Sequence, residues 1–223
     1  MSKNRLEAFS DGVFAVAITI LALDLRVPSS DELTAHHGLW GAILSHWPTY
    51  AAYVTSFFVI GIFWVSHNGV FRNIKSIDRA LLFFNLLLLM FVVAVPFATA
   101  LVAAYLNHGH AGNVAVALYS GVMLAQAATW TGLWWWVAGH PTLLADHVDP
   151  VLARKARLRF GMGTPIYAVA IAASFVSAPF TLLGHFIVAI IYSFEQLRVE
   201  RPGVAPSGSA EMTAEESELL DSE

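Results

Sequence analysis

An all-α, polytopic membrane protein is the fold class this sequence predicts, and three observations carry the prediction. The first is composition: 57% of the 223 residues are hydrophobic and 13% charged, too apolar for an ordinary soluble domain. A water-soluble alternative would have to bury every helix on all sides, which so short a chain cannot arrange. The second is a series of apolar stretches, several longer than the roughly 20 residues that cross a bilayer as a helix. The third is the placement of the twelve Lys and Arg residues. Lys3 and Arg5 precede the first stretch, and Arg72, Lys75 and Arg79 lie between the second and third. Arg154, Lys155, Arg157 and Arg159 lie between the fourth and fifth, and Arg198 and Arg201 follow the last. Only Arg26 falls on the opposite connections. Short loops rich in Lys and Arg stay cytoplasmic, so eleven of twelve basic residues agree on six spans in the plasma membrane with both termini inside.

The first segment is anomalous. Its uninterrupted apolar run, Gly12 to Leu23, is too short to cross alone, so the helix must extend back through Arg5–Asp11 and forward through Asp24 and Arg26. A cleaved signal peptide fits poorly, because acids flank the run and no small-x-small site precedes Pro28. The outer loop from Pro28 to Trp47 has Ser29 and Glu32 at capping-box spacing, which predicts a short surface helix. Its His36 and His37, like His108 and His110 in the next outer loop, have no carboxylate or Cys at ligand spacing and are read as solvated. The chain has no Cys, which excludes disulfides and thiolate sites, and no metal or cofactor is expected.

Trp47–Phe71, Ala80–Tyr105 and Val114–Ala138 satisfy the length for the second to fourth spans. Trp134, Trp135 and Trp136 are expected in an interfacial belt, with Trp40 and Trp47 at the outer interface. Gly163–Leu183 and Leu182–Leu197 give a tighter last pair, turning near Ser177-Ala178-Pro179. Residues 1–200 thus form one six-helix membrane domain. Residues 201–223 hold six of the sixteen acids, behind a Pro/Gly/Ser stretch, and read as a disordered cytoplasmic tail. No basic block with interleaved aromatics points to nucleic acid.

Polar groups at membrane depth are costly and usually face protein or water. Topology brings those of the first helix to the cytoplasmic level of the second and third spans. That predicts a buried network of Arg5, Ser10, Asp11 and His67, with Asn68, Asp78 or Asn85 nearby. It serves either to lock three helices or to take part in gating. Farther along the helix, Gly12, Val16, Thr19, Ile20 and Leu23 form one narrow stripe at three- and four-residue spacing, with Ala15, Ala17 and Ala22 on the other side. Such a stripe is ordinarily packing. On a symmetry axis, its aliphatic rings would form a constriction that gates by dewetting, and Thr19 would add a ring of hydroxyl oxygens.

The run Arg5-x-x-x-Phe9-Ser10-Asp11 followed by Gly-Val-Phe-Ala-Val-Ala-Ile-Thr-Ile-Leu resembles the motif of the transmembrane protein 175 family of potassium channels, in its prokaryotic form. Phe63-Trp64-x-x-His67, Asn85 and Pro96-Phe97 extend the likeness over the membrane domain. The resemblance implies a homotetramer in which the first helix of each subunit lines a central path without a re-entrant filter loop. It implies that Val16 stands at the family's bulky constriction, that Thr19 belongs to a selectivity layer, and that Ile20 and Leu23 form further apolar layers. Arg5, Phe9, Ser10 and Asp11 match the motif itself, whose polar contacts brace the inner half. Where the family has Ile or Leu, Val16 is smaller, which passes the narrowest point to Ile20 or Leu23.

No Thr-Val-Gly-Tyr-Gly filter and no Arg-rich voltage-sensing helix is present. The expectation is therefore a modestly potassium-preferring channel, permeable to caesium and less so to sodium, with the bilayer and its own copies as partners. The competing reading is a proton-coupled transporter using Asp11 and His67. Against it, the broken-helix repeat of such transporters is missing, since Pro96 and Pro165 do not occupy matching positions. An enzyme would have to use His140, Asp146, His147 and Asp149, which read instead as a capped, solvated loop. His185 is expected to be a satisfied interface histidine.

Overall fold

The computed structural model describes residues 2–197, with side chains as far as Tyr192; the acidic segment 201–223 lies outside the described residues. In chain order the helices are α1 (Lys3–Leu21), α2 (Ser30–Ala35), α3 (Leu39–Ser45), α4 (Trp47–Arg72) and α5 (Arg79–Tyr105), then α6 (His110–Gly139), α7 (Pro150–Gly161), α8 (Gly163–Ser174) and α9 (Ala178–Leu197). The described residues contain no strand, only an isolated antiparallel bridge between Ile74 and Leu144. Among the described residues, four segments are long and apolar enough to cross a membrane: Lys3–Asp24, Trp47–Arg72, Arg79–Tyr105 and His110–Gly139.

The termini of these helices follow local chemistry. α1 continues through the polar Arg5–Asp11 stretch, as its short apolar run requires, and closes in a tight turn at Ala22–Asp24. It stops before Arg26, because Pro28 pushes the preceding backbone out of the helical region. α2 opens on the expected capping box, with Ser29 Oγ accepting from the Glu32 N–H at 3.3 Å and Glu32 Oε2 from the Ser29 N–H at 2.7 Å. The Ser29 N–H holds the Glu32 carboxyl below its usual range. Pro48 sits in the first turn of α4, where a missing N–H costs nothing. Asp78 caps α5 by accepting the Leu81 N–H at 2.7 Å. Between α5 and α6 the chain turns tightly: a Cβ at Gly112 would lie 2.6 Å from the Leu106 carbonyl oxygen, so only glycine fits there.

The last third differs from expectation in two respects. Arg154–Arg159 form a helix, α7, where the low hydropathy suggested a loop. Asp149 accepts the Val151 N–H at 2.8 Å and Pro150 opens the helix. Its Ala, Arg, Lys and Leu residues are strong helix formers whatever their hydropathy. The chain passes into α8 through Met162, which keeps helical angles of φ −64° and ψ −28°. α8 has 12 residues and rises about 18 Å, less than the Gly163–Leu183 span expected. The turn to α9 falls where the sequence put it, with Pro179 in the first turn of α9.

α5 packs against α1, α4 and α6, while α6 also meets α7, α8 and α9, and α4 meets α9. α1 therefore lies on one edge, touching α4 and α5, and α7–α8 on the other. In lipid, apolar contact excludes no water, so association depends on close packing and polar bridges. Ala17 on α1, Ala52 on α4 and Ala98 on α5 are wholly buried, small residues that allow close approach. On the basic side, two loops are pinned together. The Lys75 N–H donates to the Leu143 carbonyl at 2.8 Å and the Ala145 N–H to the Asn73 carbonyl at 2.9 Å. Lys75 Nζ donates to Asp146 Oδ1 at 2.6 Å, which holds that exposed carboxyl below its usual range.

Candidate functional site

α1 has two faces. Leu6, Ser10, Phe14, Ala17 and Leu21 are buried against α4 and α5. Phe9, Val16, Ile20 and Leu23 are 51%, 55%, 39% and 80% exposed, and Arg5, Gly12 and Thr19 share their open face. The predicted stripe is thus the side of α1 that the chain itself leaves uncovered. The small residues divide differently from expectation: Ala17 is buried, whereas Ala15 and Ala22 are open.

The buried face holds a polar chain across three helices. Ser10 Oγ donates to the Leu6 carbonyl at 2.9 Å and accepts from Asn85 Nδ2 at 3.1 Å, and Asn85 Oδ1 lies 2.8 Å from His67 Nε2. With the Asn85 nitrogen donating to Ser10, its oxygen faces His67, so His67 Nε2 carries the donated proton. Phe71 stacks on the His67 ring at 4.2 Å, and Phe14 and Trp130 approach edge-on at 5.5 and 6.3 Å. Ser10, His67 and Asn85 are all fully buried. Apart from His67 Nδ1, which has no hydrogen-bond partner, these polar groups bond one another inside an aromatic box, which orders α1, α4 and α5 relative to one another.

The structure brings only part of the predicted network together. Asp11 accepts from Trp64 Nε1 at 2.8 Å, one turn before His67 on α4, and shares no hydrogen bond with His67. Arg5 is exposed and has no hydrogen bond or ion pair among the described residues. It points away from Ser10 because the two are five residues apart on a helix of 3.6 residues per turn. Asp78 belongs to a separate contact, accepting from Trp136 Nε1 at 2.9 Å. Trp64, Phe14 and Trp130 were not assigned to this region from the sequence. The spacing of Trp64 and His67, three apart on one helix face, was the available signal.

Thr19, on the open face, donates its hydroxyl proton to the Val16 carbonyl at 2.8 Å. The proton is thereby committed to the backbone, and the oxygen lone pairs remain for a ligand on the uncovered side. Of the three adjacent tryptophans, only Trp135 is exposed, with Arg157 over its ring at 5.6 Å. Trp134 donates to the Ala153 carbonyl at 3.1 Å, so Trp134 and Trp136 join helices and are not both belt residues. His185 is buried and bonded to Ser120 Oγ at 2.8 Å, with Tyr167 stacked on it at 5.4 Å.

Comparison with known proteins follows the same residues. The family model "Endosomal/lysosomal potassium channel TMEM175" matches residues 5–96, which contain α1, α4 and most of α5. A potassium channel of Streptomyces collinus is 49% identical over 205 residues, covering 92% of this chain and 98% of its own. A potassium channel of Chamaesiphon minutus is 43% identical over 192 residues, covering 85% of this chain and 93% of its own. The crystal structure of a lysosomal potassium-selective channel TMEM175 homolog from Chamaesiphon minutus superposes with a TM-score of 0.78 at 38% identity, over 87% of this chain and 97% of that one. With near-complete coverage at such identity, and with the open and bonded faces of α1 inside the matched segment, the chain belongs to the transmembrane protein 175 family, a family of ion channels and not of enzymes.

Proposed function

We propose that this protein is a potassium-preferring cation channel of the plasma membrane, in which four copies place α1 around a central path. The observation that carries the reading is the uncovered stripe of Val16, Thr19, Ile20 and Leu23 on a helix whose other face is fully packed. A single stripe cannot enclose a path, and cyclic symmetry with head-to-tail contacts closes one. The names of the Streptomyces and Chamaesiphon relatives, both potassium channels, support the choice of ion.

In this reading the aliphatic rings exclude water unless the path widens, and the narrowest falls at Ile20 or Leu23, since Val16 is small. The Thr19 ring supplies oxygens that replace part of a cation's hydration shell without a carbonyl filter. Few oxygens give modest discrimination, so caesium passes and sodium passes less well. Arg5, at the basic end of the open face, bonds across copies, and the Ser10–Asn85–His67 chain keeps each α1 at a fixed angle to the axis. Phe9 and Asp11 frame that end. The basic loops set both termini in the cytoplasm, with α8 and α9 as the fifth and sixth spans.

The test is ion flux from liposomes holding the purified protein under potassium, caesium or sodium gradients. Uncoupled potassium flux exceeding sodium flux is expected. Flux that requires an imposed proton gradient would replace the channel with a proton-coupled transporter acting through Asp11 and His67. A monomer in mild detergent and lipid would remove the pore altogether.

A further inference from the structure

We propose that the groove between α8 and α9 is a binding site for an anionic phospholipid, one acyl chain lying in the groove and the headgroup phosphate at Arg159 and Lys155. Two cavities line this seam. The wider, about 490 Å³, is walled by Val169, Ala173, Val176 and Phe180, with Gly184 and Val188 from α9. The narrower, about 170 Å³, runs from Arg159 and Met162 to Ile191 and Tyr192. Both have Ile166 and Val188 in their walls, so one apolar channel follows the seam from the basic end toward the α8–α9 turn.

Length and charge select the occupant. The twelve residues of α8 rise about 18 Å, so the seam is long enough to hold one acyl chain of the leaflet on its basic side, whose chains fill about half of a roughly 30 Å hydrocarbon core. Among the described residues, the walls of the seam are mainly apolar, with Ser177, Thr181 and His185 among them, and the cations stand at one end, which matches an amphiphile with a negative headgroup. Lys155 is exposed one turn before Arg159 on the same face of α7, and Arg154 stands beside it. Leu158, 82% exposed, and Met162 extend apolar surface outward from these cations, as on helices that lie at a membrane surface. Tyr192 adds a phenol at the mouth, where an amphipathic ring suits the headgroup boundary. The site needs the chain to lie in a bilayer but does not depend on which ion the protein passes.

Native mass spectrometry of the full chain in micelles containing equal phosphatidylglycerol and phosphatidylcholine tests this. The wild type is expected to retain phosphatidylglycerol preferentially. Lys155→Gln with Arg159→Gln should lower that preference by about fivefold for each charge removed, while lipid of both classes remains bound. Gly184→Leu should displace both classes: a Cβ there meets nothing within 4 Å, so the new side chain fills the groove without a clash. Equal retention of the two lipids by the wild type would overturn the headgroup site, and unchanged retention by Gly184→Leu would overturn the groove. Displacement of phosphatidylglycerol by inorganic phosphate alone would reduce the site to an anion site. If Gly184→Leu instead changed the oligomeric state and left bound lipid untouched, a second copy and not a lipid would be the occupant.

Discussion

The two faces of α1 have similar apolar composition and opposite surroundings. Phe14, Ala17 and Leu21 are enclosed by α4 and α5, while Val16, Ile20 and Leu23, each within two residues of one of them, touch little of their own chain. In a water-soluble protein that contrast would be written in the sequence, with polar residues on the open side. In a bilayer both sides tolerate Val, Ile and Leu, so hydropathy cannot separate a packed face from an open one. The hydroxyls do separate them. Ser10 on the packed face is spent on Asn85 and the Leu6 carbonyl, whereas Thr19 on the open face bonds only its own helix.

The contrast breaks hardest at Phe14. Phe14→Ala empties a fully buried ring site beside His67 and is expected to cost about 3–5 kcal/mol, read as a large drop in the thermal midpoint of the purified protein. If Val16→Ala lowered the midpoint as much, the two faces would not differ. Next is Asn85→Ala, which strands the His67 Nε2 donor while Ser10 keeps its bond to the Leu6 carbonyl, and should cost about 1–3 kcal/mol. The melt should show this loss even where flux persists. Thr19→Val sharpens the contrast from the other side. Its stability should stay within about 0.5 kcal/mol of wild type, while the potassium-to-sodium permeability ratio, taken from reversal potentials, falls toward one.

The smallest effect is expected far from α1, at the Lys75–Asp146 pair. The Lys75 ammonium depresses the Asp146 carboxyl below the ordinary 3.8, so whatever the pair contributes is fully present above that value. It fades only as the pH falls through the depressed one. A melt compared at pH 7 and pH 5 should register nothing from this pair, as for most exposed ion pairs. A midpoint shift in that window abolished by Asp146→Asn would mean that this carboxyl titrates above its ordinary value and that the Lys75 contact does not hold it down.

Much of the fold was legible because membrane spans announce themselves by length. The start of the second span at Trp47, the capping box at Ser29 and Glu32, and the turn before Pro179 all follow from local chemistry, and each is in the structure. α7 was not legible from hydropathy, since its residues are helix formers without being apolar. The candidate site was half legible. Three- and four-residue spacing found the open stripe, and membrane depth joined Ser10, His67 and Asn85. Arg5 was misplaced because level within the bilayer says nothing about direction around the helix, and direction removes it from the buried side. Trp64 was missed because its partner Asp11 stands 53 residues away on α1, and its place three residues before His67 marks the face it shares but not the partner it meets.

The Ser10–Asn85 bond has a consequence for biosynthesis. Its two ends are separated by 75 residues, so at a synthesis rate of 5–20 residues per second α1 leaves the ribosome about 4–15 s before its partner exists. For most of that interval the helix must hold an aspartate with no Trp64 to receive it, since Trp64 follows Asp11 by 53 residues, and for all of it a serine with no Asn85. The first segment of the chain is therefore secured in two steps, by α4 and then by α5, and its placement is decided when the third long helix arrives.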